Sequence, residues 1–307
     1  MALTYNQITA ITQKKFIPKM YDNIFDSNPL LQRWQKGEVY EKIDGGTSIM
    51  IPLNYAVTSA SGWYSGADTL STTDNDQFSS AEYDWKQLYA NISITGMDEA
   101  KNKGDSQIIN FVKQKVKIAE NTMSNSLGDG IYSAGTDAKS IAGLQVIVSA
   151  SNTVGGISQS TYSWWAAQLD SSTTTLSISA MASRMSACRI GNDKPSVITT
   201  TSTLWDAYHN LLQPQQRFQD SDSAKGGFNS LLFQSCPVLD DSHVPSGDMY
   251  FLNEKYLHLI VHKDADMKMD PFQKPVNQDV KTAKIYWYGA LGSSNNRMHG
   301  AMTALTA

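Results

Sequence analysis

Residues 105–127 read DSQIINFVKQKVKIAENTMSNSL. Apolar residues recur at Ile108, Val112, Val116, Ala119, Met123 and Leu127, in steps of three or four, the period of one helix face. Lys113, Lys117, Glu120, Asn121 and Ser124 fall mostly on the other side. Asp105 is placed to cap the first turn and Gly128 to end the last. At 1.5 Å per residue such a helix is about 34 Å long. Strand-like sequence lies on both sides of it, so it reads as a structural backbone for the chain.

Upstream, residues 45–95 read as a long hairpin. Ile49, Ile51, Leu53 and Tyr55 alternate, and so do Leu88, Ala90, Ile92 and Ile94, the period of strands with one apolar face. The stretch between them is polar and too poor in aliphatic residues to build a core. A loop of that length in a compact protein is functional or disordered. Its charges are Asp68, Asp74, Asp76, Glu82 and Asp84, with no Lys or Arg from Gly45 to Trp85. Trp63, Tyr64, Phe78 and Trp85 lie in the same stretch, and aromatic side chains on a projecting polar loop mark a contact surface.

Residues 1–40 form an arm. Ile8, Ile11, Phe16, Met20, Ile24 and Phe25 have helical spacing, interrupted at Pro18, and Asn28-Pro29 opens a second short helix carrying Leu30, Leu31 and Trp34. An apolar arm with little local sequence to pack on needs a surface elsewhere, in its own subunit or a neighbour.

Downstream, SIAGLQVIVS reads as a short strand entering a second lobe, and Gly155-Gly156 marks a turn. Leu176, Met181, Met185 and Cys188 share a helix face. SVITTTS then reads as a strand and LWDAYHNLL as a helix, an α/β order. Short strands follow from Leu231, with turns at Asp240-Asp241 and Pro245-Ser246-Gly247. The chain closes on a pair of strands around Ser293-Ser294-Asn295-Asn296.

The whole chain has 307 residues, enough for one large or two modest domains, and carries a net charge of −4 from 29 acidic and 25 basic residues. That balance excludes a strongly basic nucleic-acid binder. Cys188 and Cys236 lie far apart without metal-ligand spacing, so a reducing compartment fits. No apolar run reaches membrane-spanning length, and the N-terminus lacks a signal-peptide core. We therefore expect no membrane partner and folding in a cytoplasm.

The search for catalytic chemistry yields no catalytic, cofactor-binding or metal-binding residues. His258 and His262 are four apart with no Glu between them, and read as half-exposed strand histidines. Asp264, Asp266 and Asp270 lack the glycine and closing Glu of a calcium loop and read as a solvated loop. GWYSG has its serine one place off a nucleophile elbow, and no phosphate loop or dinucleotide fingerprint occurs.

The order of these parts resembles the tailed-bacteriophage major capsid proteins of the Hong-Kong-97-type fold. The resemblance spans about Asp22 to Leu305 and is carried by YDNIFDSNPLLQRW, GGTSIMIPLNY, GWYSGADTL and AEYDWKQLYANISITGMDEAKNKGDSQIINFVKQKV. It continues through SIAGLQVIV, CPVLDDSHVPSGDMYFLNEKYLHLIVHKD, DPFQKPVNQD and IYWYGAL. It implies an α+β fold with an N-terminal arm at 1–40, an extended hairpin loop at 45–95 and a peripheral domain with its spine helix at 96–150. An axial α/β domain at 151–262 and a return to the peripheral domain at 263–307 complete it.

The implied function is self-assembly, as hexamers and pentamers, into an icosahedral shell around non-specifically held double-stranded DNA. The implied place is the virion capsid, assembled in a bacterial cytoplasm with a portal and a decoration protein. Met1 stands almost at the arm, so a separate scaffolding protein is expected. The hairpin tip has no lysine, which argues against a cross-link by that route. In this geometry Phe16, Ile24 and Phe25 of the arm and Trp63, Tyr64, Asp68, Asp74, Asp76 and Phe78 of the hairpin contact a neighbour. Lys101, Lys103, Lys113 and Lys117 on and before the spine helix oppose the acidic tip. The alternatives are an encapsulin-type nanocompartment shell of the same fold and a soluble α/β hydrolase.

Overall fold

The computed structural model describes residues 28–73, 75–101, 111–172, 174–212 and 231–307. Its first element shows local sequence acting directly. Helix α1 (Pro29–Lys36) starts where Asn28 Oδ1 accepts the Leu31 N–H at 3.0 Å, with proline at the first helical position. It stops at Gly37, and it buries Leu30 and Trp34 completely. Strands β1 (Tyr40–Ile43), β2 (Ile49–Asn54), β3 (Phe78–Tyr83) and β4 (Lys86–Thr95) follow, then helices α2 (Gly96–Lys101) and α3 (Phe111–Ile131).

Helix α3 is the expected long helix over its described residues, with a difference at its C-terminal end. Asp105 and Ile108 lie outside the described residues. At the other end the helix does not stop at Gly128 but runs on to Ile131. The glycine serves close packing: a Cβ there would lie 2.5 Å from Asn28 Nδ2 and 2.7 Å from the His243 ring. His243 in turn pairs with Asp129 on the same helix at 2.8 Å. Ala119, Met123 and Leu127 of the apolar stripe are buried, whereas Val112 is exposed.

The next elements are α4 (Leu144–Ile147), β5 (Thr153–Val154), β6 (Ile157–Ser158), β7 (Gln168–Asp170), α5 (Ile178–Ala187), β8 (Val197–Thr200) and α6 (Ser202–Leu211). The last are β9 (Leu231–Phe233), β10 (Cys236–Asp240), β11 (Met249–Leu252), β12 (Leu257–His262), β13 (Lys268–Met269), β14 (Val280–Ser293) and β15 (Gly300–Met302). Where SIAGLQVIVS reads as a strand, the structure has α4, because Gly143 O accepts from both Val146 and Ile147. Leu144 and Ile147, one helical turn apart, are then both buried.

The chain divides into two units. The larger comprises residues 26–88, 124–268 and 286–307. Its six-stranded sheet has the order β7-β15-β11-β8-β10-β9. Strands β8 and β10 are parallel, with Ile198 opposite Val238, whereas β8 and β11 run antiparallel. All four residues of β8 are buried, as a central strand covered on both faces requires. Of the helix face read from the sequence, Leu176, Met181 and Met185 join Ile198, Val238, Phe251 and Tyr208 in one core, while Cys188, buried at the end of α5, lies outside that cluster. In the same unit β1 pairs with β12 in parallel, and β12 pairs with β14 antiparallel.

Among the described residues, the smaller unit draws on the stretches 89–123 and 269–285. Strand β4 pairs with β14, and the Gly96 N–H donates to Asp279 O at 3.0 Å. Alternation along β4 buries Ile92 and Ile94, which join Ala119, Met123, Ala283 and Ile285 among this unit's buried residues.

Two sequence expectations about pairing are corrected. The return strand of the hairpin is β3, which pairs with β2 from Ile49↔Tyr83 to Asn54↔Phe78, while Leu88–Ile94 belongs to β4 and another sheet. The closing strands do not pair with each other: β14 joins β12, and β15 lies between β11 and β7.

A buried polar centre fixes this closure. His299 is fully buried. Its Nδ1 accepts the Asn253 N–H at 3.2 Å, so Nε2 carries the hydrogen and donates to Ser293 Oγ at 3.3 Å. Burial pushes its pKa down to about 3, with the neighbouring His258 adding to the effect. A depressed histidine stabilises the fold above its unfolded pKa of about 6.5 and loses that contribution as pH falls toward the folded value. Between pH 7 and pH 5 the wild type should therefore lose about 2 kcal/mol more stability than His299→Gln. Denaturant titrations of both at the two pH values check this, and equal losses would refute it.

Candidate inter-subunit contact surfaces

The hairpin has a rigid root and a lightly held tip. At the root, the Glu82 N–H donates to Gly155 O at 3.0 Å. The Tyr83 hydroxyl donates to Ser293 O at 2.8 Å and accepts from Ser293 N at 3.0 Å. Burial pushes the Tyr83 phenol up to about 12. Tyr55, just past β2, stacks on Trp164 with ring centroids 5.1 Å apart. Gly155 sits at φ +59°, and a Cβ there would lie 2.5 Å from that of Ala81. The Gly155-Gly156 turn read from the sequence is thus the seat of the hairpin.

Beyond the root the loop 55–77 relies on few bonds. The Tyr55 N–H donates to Gln77 O at 3.0 Å. Asn75 bridges the loop, accepting from Ser59 N at 2.9 Å and donating to Val57 O at 3.2 Å. Asp68 Oδ2 accepts from Ser65 N at 2.9 Å. Aromatic side chains of this loop stand open to solvent, Trp63 at 106% and Tyr64 at 67%, and so does Phe78 at the start of β3, at 78%. Asp68 and Asp76 are exposed beside them.

On α3, Lys113 and Lys117 are exposed and one turn apart. Lys101 is the last residue of α2. Lys103, Asp74, Phe16, Ile24 and Phe25 lie outside the described residues. Trp63, Tyr64, Asp68 and Asp76 thus lie on the loop 55–77, and Phe78 opens β3 at the root.

Of the histidine and aspartate candidates, His258 and Asp266 sit in structural pairs, while Asp264 is exposed. His258 Nδ1 lies 2.7 Å from Glu41 and Nε2 3.1 Å from Ser294 Oγ, so it ties β1 to the end of β14. Asp266, expected in a solvated loop, instead takes the Tyr40 hydroxyl and the Lys42 ammonium, both at 2.5 Å. This clamps β1 and raises the Tyr40 pKa, burial being the larger cause. Asp193, not singled out by the sequence, accepts from Tyr256 at 2.5 Å, Asn253 at 2.8 Å and Lys255 at 3.3 Å. Its partners lie at least 60 residues away, so no sequence signal marks it. Among the described residues no group of three or more His, Cys, Asp or Glu is placed to hold a metal ion. None of their helices is long and apolar enough to cross a membrane.

Solved structures resemble this chain from end to end. A subunit of the cyanophage A-1(L) capsid asymmetric unit superposes with TM-score 0.71 at 17% identity, over 99% of this chain and 100% of that one. A capsid subunit of the native GTA particle gives TM-score 0.71 at 9% identity, over 99% and 100%. The SrpI encapsulin of Synechococcus elongatus PCC 7942 gives 0.64 at 9% identity, over 99% and 96%. No protein-family model and no curated protein sequence matches the chain. The architecture is the Hong-Kong-97-type capsid fold, the α+β fold that the order of sequence parts implies.

Proposed function

We propose that this chain is a major capsid protein of a tailed bacteriophage, self-assembling into the icosahedral shell that encloses packaged double-stranded DNA. The observation that carries this is the hairpin: a firmly seated root with three uncovered aromatic side chains, in a fold whose solved relatives are shell subunits. Fully exposed Trp63 is a poor surface for a solitary protein and a good anchor for a contact between copies. The division into arm, hairpin, peripheral domain with α3 as spine, axial domain and returning segment is part of this reading. So are hexamers and pentamers, partnership with portal, scaffolding and decoration proteins, and a structural rather than catalytic role.

A second reading, an encapsulin-type compartment shell, is favoured by the SrpI likeness. Electron microscopy of the expressed protein, with nucleic-acid content measured on the particles, decides. Closed shells that package DNA with a portal support the first reading, and small uniform shells holding a protein cargo support the second. A monomer that never assembles overturns both.

The acidic tip and the lysines of α3 are proposed to meet across subunits. Exposed pairs contribute little stability each, but complementary fields set encounter rate and register. Asp74→Lys with Asp76→Lys should slow assembly several-fold at low salt and much less above about 0.3 M, where screening dominates. Light scattering across a salt series measures this; unchanged low-salt rates would discard the charge match.

A further inference from the structure

We propose that Ser294 is an activated nucleophile that takes an acyl group from a carboxylic ester, with His258 as its base and Glu41 holding that base in place. The idea goes beyond the shell reading and does not depend on it, since none of the proposed contacts between copies uses these residues.

Three strands bring the group together. Strand β1 runs parallel to β12 with Glu41 opposite Ile260, and β12 runs antiparallel to β14 with His258 opposite Gly292. Side chains two residues apart on a strand share a face, so Glu41, His258 and Ser294, just past the end of β14, come to one side of the sheet. The Tyr40 and Lys42 contacts to Asp266 fix β1, and the Ser294 N–H donates to Tyr256 O at 2.9 Å. The geometry then dictates where the protons sit. His258 Nδ1 lies 2.7 Å from Glu41 Oε1, and a carboxylate only accepts, so Nδ1 carries the hydrogen. Nε2 of the neutral ring is an acceptor, and it lies 3.1 Å from Ser294 Oγ, which must be the donor. A serine hydroxyl aimed at the free nitrogen of an imidazole whose other nitrogen is held by a carboxylate is the arrangement that makes serine nucleophilic. A tie between β1 and β12 would be complete with the His258–Glu41 pair alone. Neighbouring Ser293 provides the contrast, since it is fully buried with its Oγ against His299 Nε2.

The group is open to a ligand. Glu41 and His258 line a groove of about 580 Å³, and Ser294 is half-buried rather than sealed. The same groove is lined by apolar Val39 and Leu257 beside charged Lys36 and Lys255. Apolar and polar groups side by side suit a short acyl chain joined to a polar leaving group. In the reaction Ser294 Oγ attacks the ester carbonyl carbon as its proton passes to His258 Nε2. The tetrahedral adduct collapses, the bond from carbon to the alcohol oxygen breaks, and the alcohol leaves with the proton from Nε2. One acyl-serine and one alcohol are formed, and no oxidant or further reactant is consumed. Glu41 touches no reacting atom and acts as a positioning residue, fixing the tautomer and the direction of the ring.

The test treats the native full-length protein with p-nitrophenyl butyrate, follows p-nitrophenol release by absorbance and maps the adduct by peptide mass spectrometry. One butyryl group per chain, on Ser294, is expected. His258→Gln should slow its formation about 100-fold or more. Glu41→Gln should slow it about tenfold or more, and Glu41→Asp should recover part of the rate, which a role in fold stability alone does not predict. Unfolding midpoints measured alongside show which variants stay folded. The wild type also decides by itself: Ser294 in the native chain should react about 100-fold faster than in the same chain unfolded in urea. Equal rates in the native and unfolded chain, a butyryl group on Lys36 or Lys255 in place of Ser294, or an unchanged rate in folded His258→Gln or Glu41→Gln would each overturn the proposal.

Discussion

Replacing Gly143 by alanine is expected to cost about 3 kcal/mol or more of folding stability, enough to leave much of the chain unfolded or insoluble at 37 °C. The residue sits where α4 meets the end of α3. An added Cβ would lie 2.3 Å from Ser133 N, 2.5 Å from Ser133 O and 2.7 Å from Gly130 O. All three are backbone atoms, and they belong to a turn closed by the Ser133 N–H donating to Gly130 O at 3.1 Å. No rotamer change relieves such a contact, so either the turn or α4 must move. Helix α4 carries fully buried Leu144 and Ile147, and the end of α3 carries buried Ile131 and Tyr132, so movement on either side opens the core. Gly62→Ala is the control, because a Cβ there meets nothing within 4 Å. Denaturant midpoints should fall steeply for Gly143→Ala and stay within about 0.5 kcal/mol for Gly62→Ala. Equal midpoints would show that the close approach is not obligatory.

Gly143 also shows what a sequence hides. SIAGLQVIV is short, apolar and rich in β-branched residues, and such a run carries no period that separates strand from helix. The close approach of Gly143 to the Gly130–Ser133 turn fixes where the segment starts, and the Gly143 carbonyl then closes a local helical turn with Val146 and Ile147. The hairpin's return strand was hidden for a related reason. Leu88–Ile94 has the cleaner alternation, yet FSSAEY pairs with β2 because its Ala81 and Tyr83 fit against Gly155 and Ser293, more than seventy residues away in sequence. Local pattern was enough where the element satisfies itself locally. The cap at Asn28, the periodic C-terminal half of α3, the Met181–Met185 face and the buried run at β8 all stand where the residues put them. The candidate contact surface was legible as composition, since aromatics and uncompensated acids crowd one polar stretch. Its rigid seat was not, because Tyr55–Trp164 and Tyr83–Ser293 join segments far apart in the chain.

Truncating the hairpin tip should separate assembly from folding. Trp63 and Tyr64 are exposed at 106% and 67%, so Trp63→Ala with Tyr64→Ala removes almost nothing that the isolated subunit uses. Its unfolding midpoint should stay within about 0.5 kcal/mol of wild type. Assembly is another matter. An aromatic anchor buried at the centre of a protein contact contributes about 2 kcal/mol or more, and two together about 3–4 kcal/mol for each contact. At 1.4 kcal/mol per tenfold, the weakened contact raises the concentration at which shells appear by roughly 100-fold to 1,000-fold. The effect is this large because the tip acts at the end of a firm lever. The root is held by the Tyr55–Trp164 stack, the Glu82–Gly155 hydrogen bond and the paired bonds of Tyr83 to Ser293, so little ordering of the hairpin remains to be done on docking. Tyr55→Ala is the informative contrast. It removes a ring from the root, so it should lower subunit stability and weaken assembly together. Sedimentation and light scattering across a concentration series give the threshold, and thermal or denaturant unfolding gives the stability. If the double variant forms shells at the wild-type threshold, the hairpin tip is not the contact that builds the shell.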